Sequence, residues 1–97
     1  MLNKVIKTSA TWCQPCKAYK PTFEKVKEMD EFKNLTFEEI DVEDEGTEEL
    51  VAKYKVQSVP TTLFLDESGN LINRLVGVVP LQTLVDTINK ELKEKES

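Results

Sequence analysis

Cys13 and Cys16 are the only cysteines in the chain, and Gln14 and Pro15 alone separate them. A bridge across so short a segment closes too small a loop to hold distant parts of a fold together. The value of the pair is therefore chemical, or else incidental. Its setting narrows the choice. Residues 3–8 (Asn-Lys-Val-Ile-Lys-Thr) read as a strand and 9–11 as the loop that leaves it. From 13 to 29, Ala18, Tyr19, Phe23, Val26 and Met29 recur at helical spacing, with Pro21 inside the helix as a predicted kink. A helix that opens at Cys13 directly after a strand sets the first sulfur beside unpaired backbone N–H groups and the positive end of the helix, which stabilise a thiolate. Cys16, one turn later, is expected to be more enclosed and within disulfide reach, placed to attack a mixed disulfide on Cys13. Such an exchange uses no metal or organic cofactor. Pro15 fits the first helical turn and stiffens the spacing of the sulfurs, and Trp12 offers a flat apolar surface to a partner polypeptide.

Other chemistries drop out by composition. The chain has no histidine, which removes Cys-His and Ser-His-Asp catalysis and every histidine-containing zinc site. A cysteine zinc site lacks its second ligand pair. The remaining bland reading is a pair of buried structural cysteines. With 13 basic against 18 acidic residues, net charge -5, no nucleic-acid-tracking surface is expected. The apolar stretch Val5-Ile6 is cut by Lys7, far short of a membrane span or export signal, so the expectation is a cytoplasmic protein with no membrane partner. Length allows one domain, 1–97.

The rest of the chain continues the alternation. Residues 30–34 read as a polar connection and 35–42 as a second strand, whose Glu38, Glu39 and Asp41 suit a sheet edge. Thr47 is placed to cap a short helix through Tyr54. Residues 62–65 and 71–76 form a hairpin around the turn 66–70. After Gly77 and Pro80, Leu81, Leu84, Val85, Ile88 and Leu92 make the apolar face of a last helix that ends in a Lys/Glu-rich tail. The order strand, helix, strand, helix, strand, strand, helix predicts an α/β domain on a mixed sheet, with the first two strands parallel.

The run Trp12-Cys13-Gln14-Pro15-Cys16-Lys17, with Pro21 five residues beyond the second cysteine, resembles the active-site run of the thioredoxin family. Val59-Pro60-Thr61 resembles its cis-proline segment, 66–70 its hairpin turn, and Gly77 with the Leu-rich final helix its C-terminal end. The resemblance implies a thioredoxin-like fold, βαβαββα, with a four-stranded sheet of order 2-1-3-4 flanked by three helices. It also implies a cis Val59–Pro60 bond facing Cys13, and Val59 backbone that pairs with a substrate peptide. Cys13 would be the nucleophile and Cys16 the resolving thiol of a protein-disulfide reductase. Trp12, Gln14, Pro15, Val59, Pro60 and Gly77 would shape the site. The partners would be protein disulfides and a thioredoxin reductase-like flavoprotein, with the chain a monomer. Trp12, Val59 and the loop at Val78-Val79 would form an apolar docking patch.

Three departures stand against the family pattern. Gln14 replaces the usual glycine between the cysteines. The chain reaches its cysteines early, so the family's first strand and first helix have no counterpart, which leaves the second strand at an edge. The family's buried aspartate aligns with Lys7 and its partner lysine with Glu39, which suggests an exchanged pair beneath the site, serving proton transfer from Cys16 or electrostatic tuning. Alternative readings are a glutaredoxin-like electron donor, although no Gly-Gly-x-x-Asp run follows the fourth strand, and a protein-interaction subunit whose redox chemistry is incidental. An oxidase or isomerase fits less well without an export signal.

Overall fold

The computed structural model describes residues 1–94; the end of the Lys/Glu-rich tail, 95–97, lies outside the described residues. Its central element is β1, Leu2–Ser9, which pairs in parallel with β2, Thr36–Asp41, and antiparallel with β3, Thr61–Asp66. β3 pairs antiparallel with β4, Leu71–Val76, giving the order β2-β1-β3-β4. The helices are α1, Gln14–Lys27, α2, Glu48–Lys53, and α3, Leu81–Glu94. This is the mixed four-stranded sheet with three helices that the sequence predicts, with β2 at an edge.

Alternation along the strands sorts side chains into two cores. On one face Val5 and Phe64 meet Tyr19, Phe23 and Val26 of α1 and Leu84, Val85 and Ile88 of α3. On the other, Ile6, Leu63 and Leu65 pack against Tyr54 at the end of α2. β1 is thus covered on both sides, and its one charged residue in the buried run, Lys7, falls on the α1 face, 5.7 Å from the Phe23 ring centroid.

Some local expectations change. The connection after α1 is not simply polar: Asp30–Phe32 forms a 3-10 turn that buries Phe32 against the α1/α3 core. Pro21 lies inside α1, as the sequence places it, and the helix runs through it from Gln14 to Lys27. Thr47 stands at the start of α2 but makes no side-chain cap; its hydroxyl donates to the Val42 and Asp44 carbonyl oxygens and so ties down the loop before the helix. Arg74 of β4 donates instead to the Tyr54 and Lys55 carbonyls at the other end of α2, at 2.5 and 3.2 Å. In the hairpin turn, Asp66 Oδ1 accepts the Ser68 and Asn70 N–H groups, and Gly69 takes the φ of +84° that the turn requires.

Tyr19 is fully buried, and its hydroxyl shares a 2.9 Å hydrogen bond with Thr62 Oγ1, which joins α1 to β3. Burial pushes its phenol above the ordinary 10.0, opposed in part by the Thr62 bond. The unfolded chain therefore loses this proton first as pH rises, so the stability due to neutral Tyr19 is complete below pH ~10 and is lost as pH climbs through the folded value. Tyr19→Phe should cost about 1 kcal/mol at neutral pH, from the lost hydrogen bond, yet reduce the fall in stability above pH ~10. Urea midpoints on both sides of that pH check this; an unchanged alkaline fall would contradict it.

Candidate active site

Cys13 is the N-cap of α1. Its backbone is extended (φ -87°, ψ 107°), its N–H donates to the Ala10 carbonyl at 3.1 Å, and its own carbonyl accepts from Lys17 N–H at 3.3 Å. The cap works because a sulfur stands where an oxygen usually does: Cys16 N–H donates to Cys13 Sγ at 3.1 Å. Pro15, in the first turn, has no N–H to leave unpaired there. Cys13 and Cys16 are joined in a disulfide with Cα atoms 5.3 Å apart.

The two cysteines are equally buried, each 3 % exposed, so the expectation that Cys16 is the more enclosed is not what distinguishes them. The difference is electrostatic. Cys13 Sγ receives a helix N–H and sits at the positive end of α1, whereas Cys16 lies inside the first turn. Trp12, 65 % exposed, and the exposed Gln14 and Pro15 surround the pair on its outer side.

The Val59–Pro60 bond is cis, and the Val59 carbonyl oxygen lies 3.7 Å from Cys13 Sγ. Ala10, Cys13 and Cys16 form a small apolar cluster with Val42 and Val59 against it. Gly77, at φ +86°, donates its N–H to the Pro60 carbonyl at 2.8 Å and so ties the end of β4 to this segment. A shallow cleft of about 170 Å³ runs beside the cysteines, lined by Trp12, Val42, Val51, Val56 and Val59 among others. Val76 and Val78 are exposed nearby along the chain, on either side of Gly77.

Beneath the cysteines, Lys7 and Glu39 stand opposite each other in the β1–β2 register and form an ion pair, Nζ to Oε1 2.7 Å. The Lys7 side chain is 3 % exposed and that of Glu39 31 %. Both line a pocket of about 150 Å³ together with Ser9, Thr11, Cys16 and Asp41. The structure therefore brings every sequence-selected residue to one end of the sheet, in two layers: Trp12, Gln14, Pro15, Val59, Pro60 and Gly77 around the sulfurs, Lys7 and Glu39 below them.

Sequence reasoning missed what holds the proline segment. Thr8 Oγ1, fully buried, donates to the Thr61 carbonyl at 2.9 Å and accepts the Thr61 N–H at 3.0 Å, while Thr61 Oγ1 donates to the Ser58 carbonyl at 2.7 Å. The available signal was a threonine next to the last residue of the first strand and another opening the strand paired with it, each a residue whose hydroxyl can serve a backbone that leaves the ladder. Among the described residues no cluster of His, Cys, Asp or Glu could hold a metal ion, and no helix is long and apolar enough to cross a membrane.

Comparison with known proteins gives a consistent picture. The thioredoxin family model matches residues 2–90. Thioredoxin Asp f 29 of Aspergillus fumigatus is 41% identical over 76 residues, 78% of this chain and 66% of that protein. The prophage-derived thioredoxin-like protein YosR of Bacillus subtilis is 34% identical over 90 residues, 93% of this chain and 99% of that protein. Among solved structures, Malassezia sympodialis thioredoxin (Mala s 13) superposes with a TM-score of 0.78 at 30% identity, over 90% of this chain and 72% of the other. The chain thus spans just under two thirds of the length of the Aspergillus protein and of Arabidopsis thaliana thioredoxin H5, 66% in each case.

If the threonine pair carries the proline segment, Thr8→Val should lower stability by about 1–3 kcal/mol, since it leaves the buried Thr61 N–H unpaired. Urea denaturation measures this. A loss below about 0.5 kcal/mol, the scale of an ordinary surface substitution, would mean that the segment is held by other contacts.

Proposed function

The chain belongs to the thioredoxin family, and from that premise we propose that it is a thiol–disulfide oxidoreductase that reduces disulfides in other proteins. The observation that carries the reading is the Cys13–Cys16 pair at the start of α1, with Cys13 Sγ taking a helix N–H and facing the cis Val59–Pro60 segment. In the dithiol form the N–H and the helix dipole stabilise a Cys13 thiolate. That thiolate attacks one sulfur of a substrate disulfide, and the other sulfur departs as a thiolate. A mixed disulfide then joins Cys13 to the substrate. Cys16 loses its proton, attacks Cys13 Sγ, closes the Cys13–Cys16 bond and releases the second substrate thiol. The substrate gains the two electrons that the dithiol gives up.

The surrounding residues take roles around this step. The Val59 backbone, beside Cys13, pairs with the substrate chain as an added strand, while Trp12 and the exposed Val76 and Val78 supply apolar contact. Pro15 and Gln14 set the geometry between the sulfurs, and Gly77 steadies Pro60. Lys7 and Glu39 lie beneath Cys16 as an ion pair, with Glu39 the more exposed of the two. The 97 residues act as one domain and a monomer in the cytoplasm. A flavoprotein of the thioredoxin reductase type returns the pair to the dithiol.

Single cysteine variants test the order of events. With dithiothreitol as electron source and a disulfide-bonded protein as substrate, Cys13→Ser should abolish reduction. Cys16→Ser should instead accumulate a substrate adduct on Cys13, visible as a mass increase that reductant removes. An adduct on Cys16 in Cys13→Ser, or full activity in either variant, would overturn the assignment. Retention of a partner by a chain lacking both cysteines, with no reductase activity in the parent, would favour an interaction subunit.

A further inference from the structure

We propose that Lys7 is a positioning charge for the resolving step: its buried ammonium favours ionisation of Cys16 while Cys13 is held in the mixed disulfide, and Glu39 sets how strongly it does so. The inference rests on the exchange reading above and names how its second step is regulated.

The placement follows from β1. Lys7 stands three residues before Ala10, which clusters with both cysteines, and its Nζ lies 5.7 Å from the ring centroid of Phe23 on α1. There it lines the same pocket as Cys16. The other charged groups around that pocket are Lys17 and Lys20 on α1 and Glu39 and Asp41 on β2. Lys17 and Lys20 are exposed, and water screens them; Lys7, at 3 % exposure, acts through a medium of much lower dielectric. A cation this deep needs a partner while the sulfurs are joined and carry no charge. Glu39, 2.7 Å away, is that partner, with the Phe23 ring 5.7 Å from Nζ as a second, weaker one.

When Cys16 must ionise, the balance changes. Its proton passes to solvent, the new thiolate adds a negative charge at the pocket wall, and Lys7 then stands among two anions. The thiolate forms its bond to Cys13 Sγ, the substrate sulfur leaves as a thiolate and takes up a proton, and the pocket returns to a single neutral pair. No oxidant is needed beyond the substrate disulfide. Because Glu39 is the more exposed member of the pair, solvent weakens its opposing effect more than the effect of Lys7.

The pH profile of Cys16 alkylation by iodoacetamide, in full-length Cys13→Ser where Cys16 is the only thiol, isolates the effect. Lys7→Met should make alkylation at neutral pH about tenfold slower, with the profile moved up by about one pH unit. Glu39→Gln should move it the opposite way, and Lys7→Arg should leave it near the parent. Both neutral variants break the same ion pair, so a merely structural role shifts them in the same direction. A shared direction, or no movement in either, overturns the proposal. Should Lys7→Met fail to fold by circular dichroism, Glu39→Gln still decides: a downward shift supports the proposal and an unchanged profile overturns it. A parent chain that reduces no protein disulfide while these opposed shifts persist overturns the exchange reading and leaves the charge assignment standing.

Discussion

A strand covered on both faces and leading through a short turn into the first turn of a helix is the constraint on which the rest of this structure depends. β1 is fixed by β2 on one side and β3 on the other, with Val5 and Ile6 committed to opposite cores. A one-residue slip would exchange those faces and drive Lys7 into the wrong layer. With the register fixed, Ala10 accepts the Cys13 N–H, Cys13 becomes the cap of α1, and the spacing to Cys16 follows from helical geometry. The position of the sulfurs is thus decided by packing some distance below them.

The same strand carries the two polar residues that support the site from within. Thr8 faces Thr61 and holds the start of β3, so that Val59 and Pro60 meet Cys13 from the far side. Lys7, one residue earlier and on the opposite face, pairs with Glu39 below Cys16. Neighbouring positions on one buried strand therefore serve the substrate-facing segment and the interior of the site separately. Every buried side-chain polar atom among the described residues has a partner, as a site that excludes water requires.

Much of this was legible in the sequence because each signal was local. The Cys-x-x-Cys run, Pro15, the 66–70 turn and the period of the last helix each specify their own geometry, and β4 falls at 71–76 as expected. The acids of β2 marked an edge for a physical reason, repulsion of added strands, and β2 is an edge. What was illegible depends on tertiary contact. Phe32 lies in a stretch that reads as polar, yet it reaches the α1/α3 core through a 3-10 turn. Thr47 has the composition of a cap and spends its hydroxyl on the preceding loop. The equal burial of the cysteines could not be read from helical spacing, since it depends on Ala10, Val42 and Val59 closing over both.

The central claim is that Cys13 and Cys16 form a reversible, reducing dithiol. Equilibration of the chain in dithiothreitol redox buffers, followed by alkylation of free thiols and mass measurement, tests it most directly. A reducing dithiol gives one intramolecular disulfide in equilibrium with the dithiol form, at a potential near the ~ -270 mV of reducing thioredoxins. A potential of ~ -180 mV or above would mark an oxidant or isomerase, and failure to form the bridge would contradict a redox role for the pair outright.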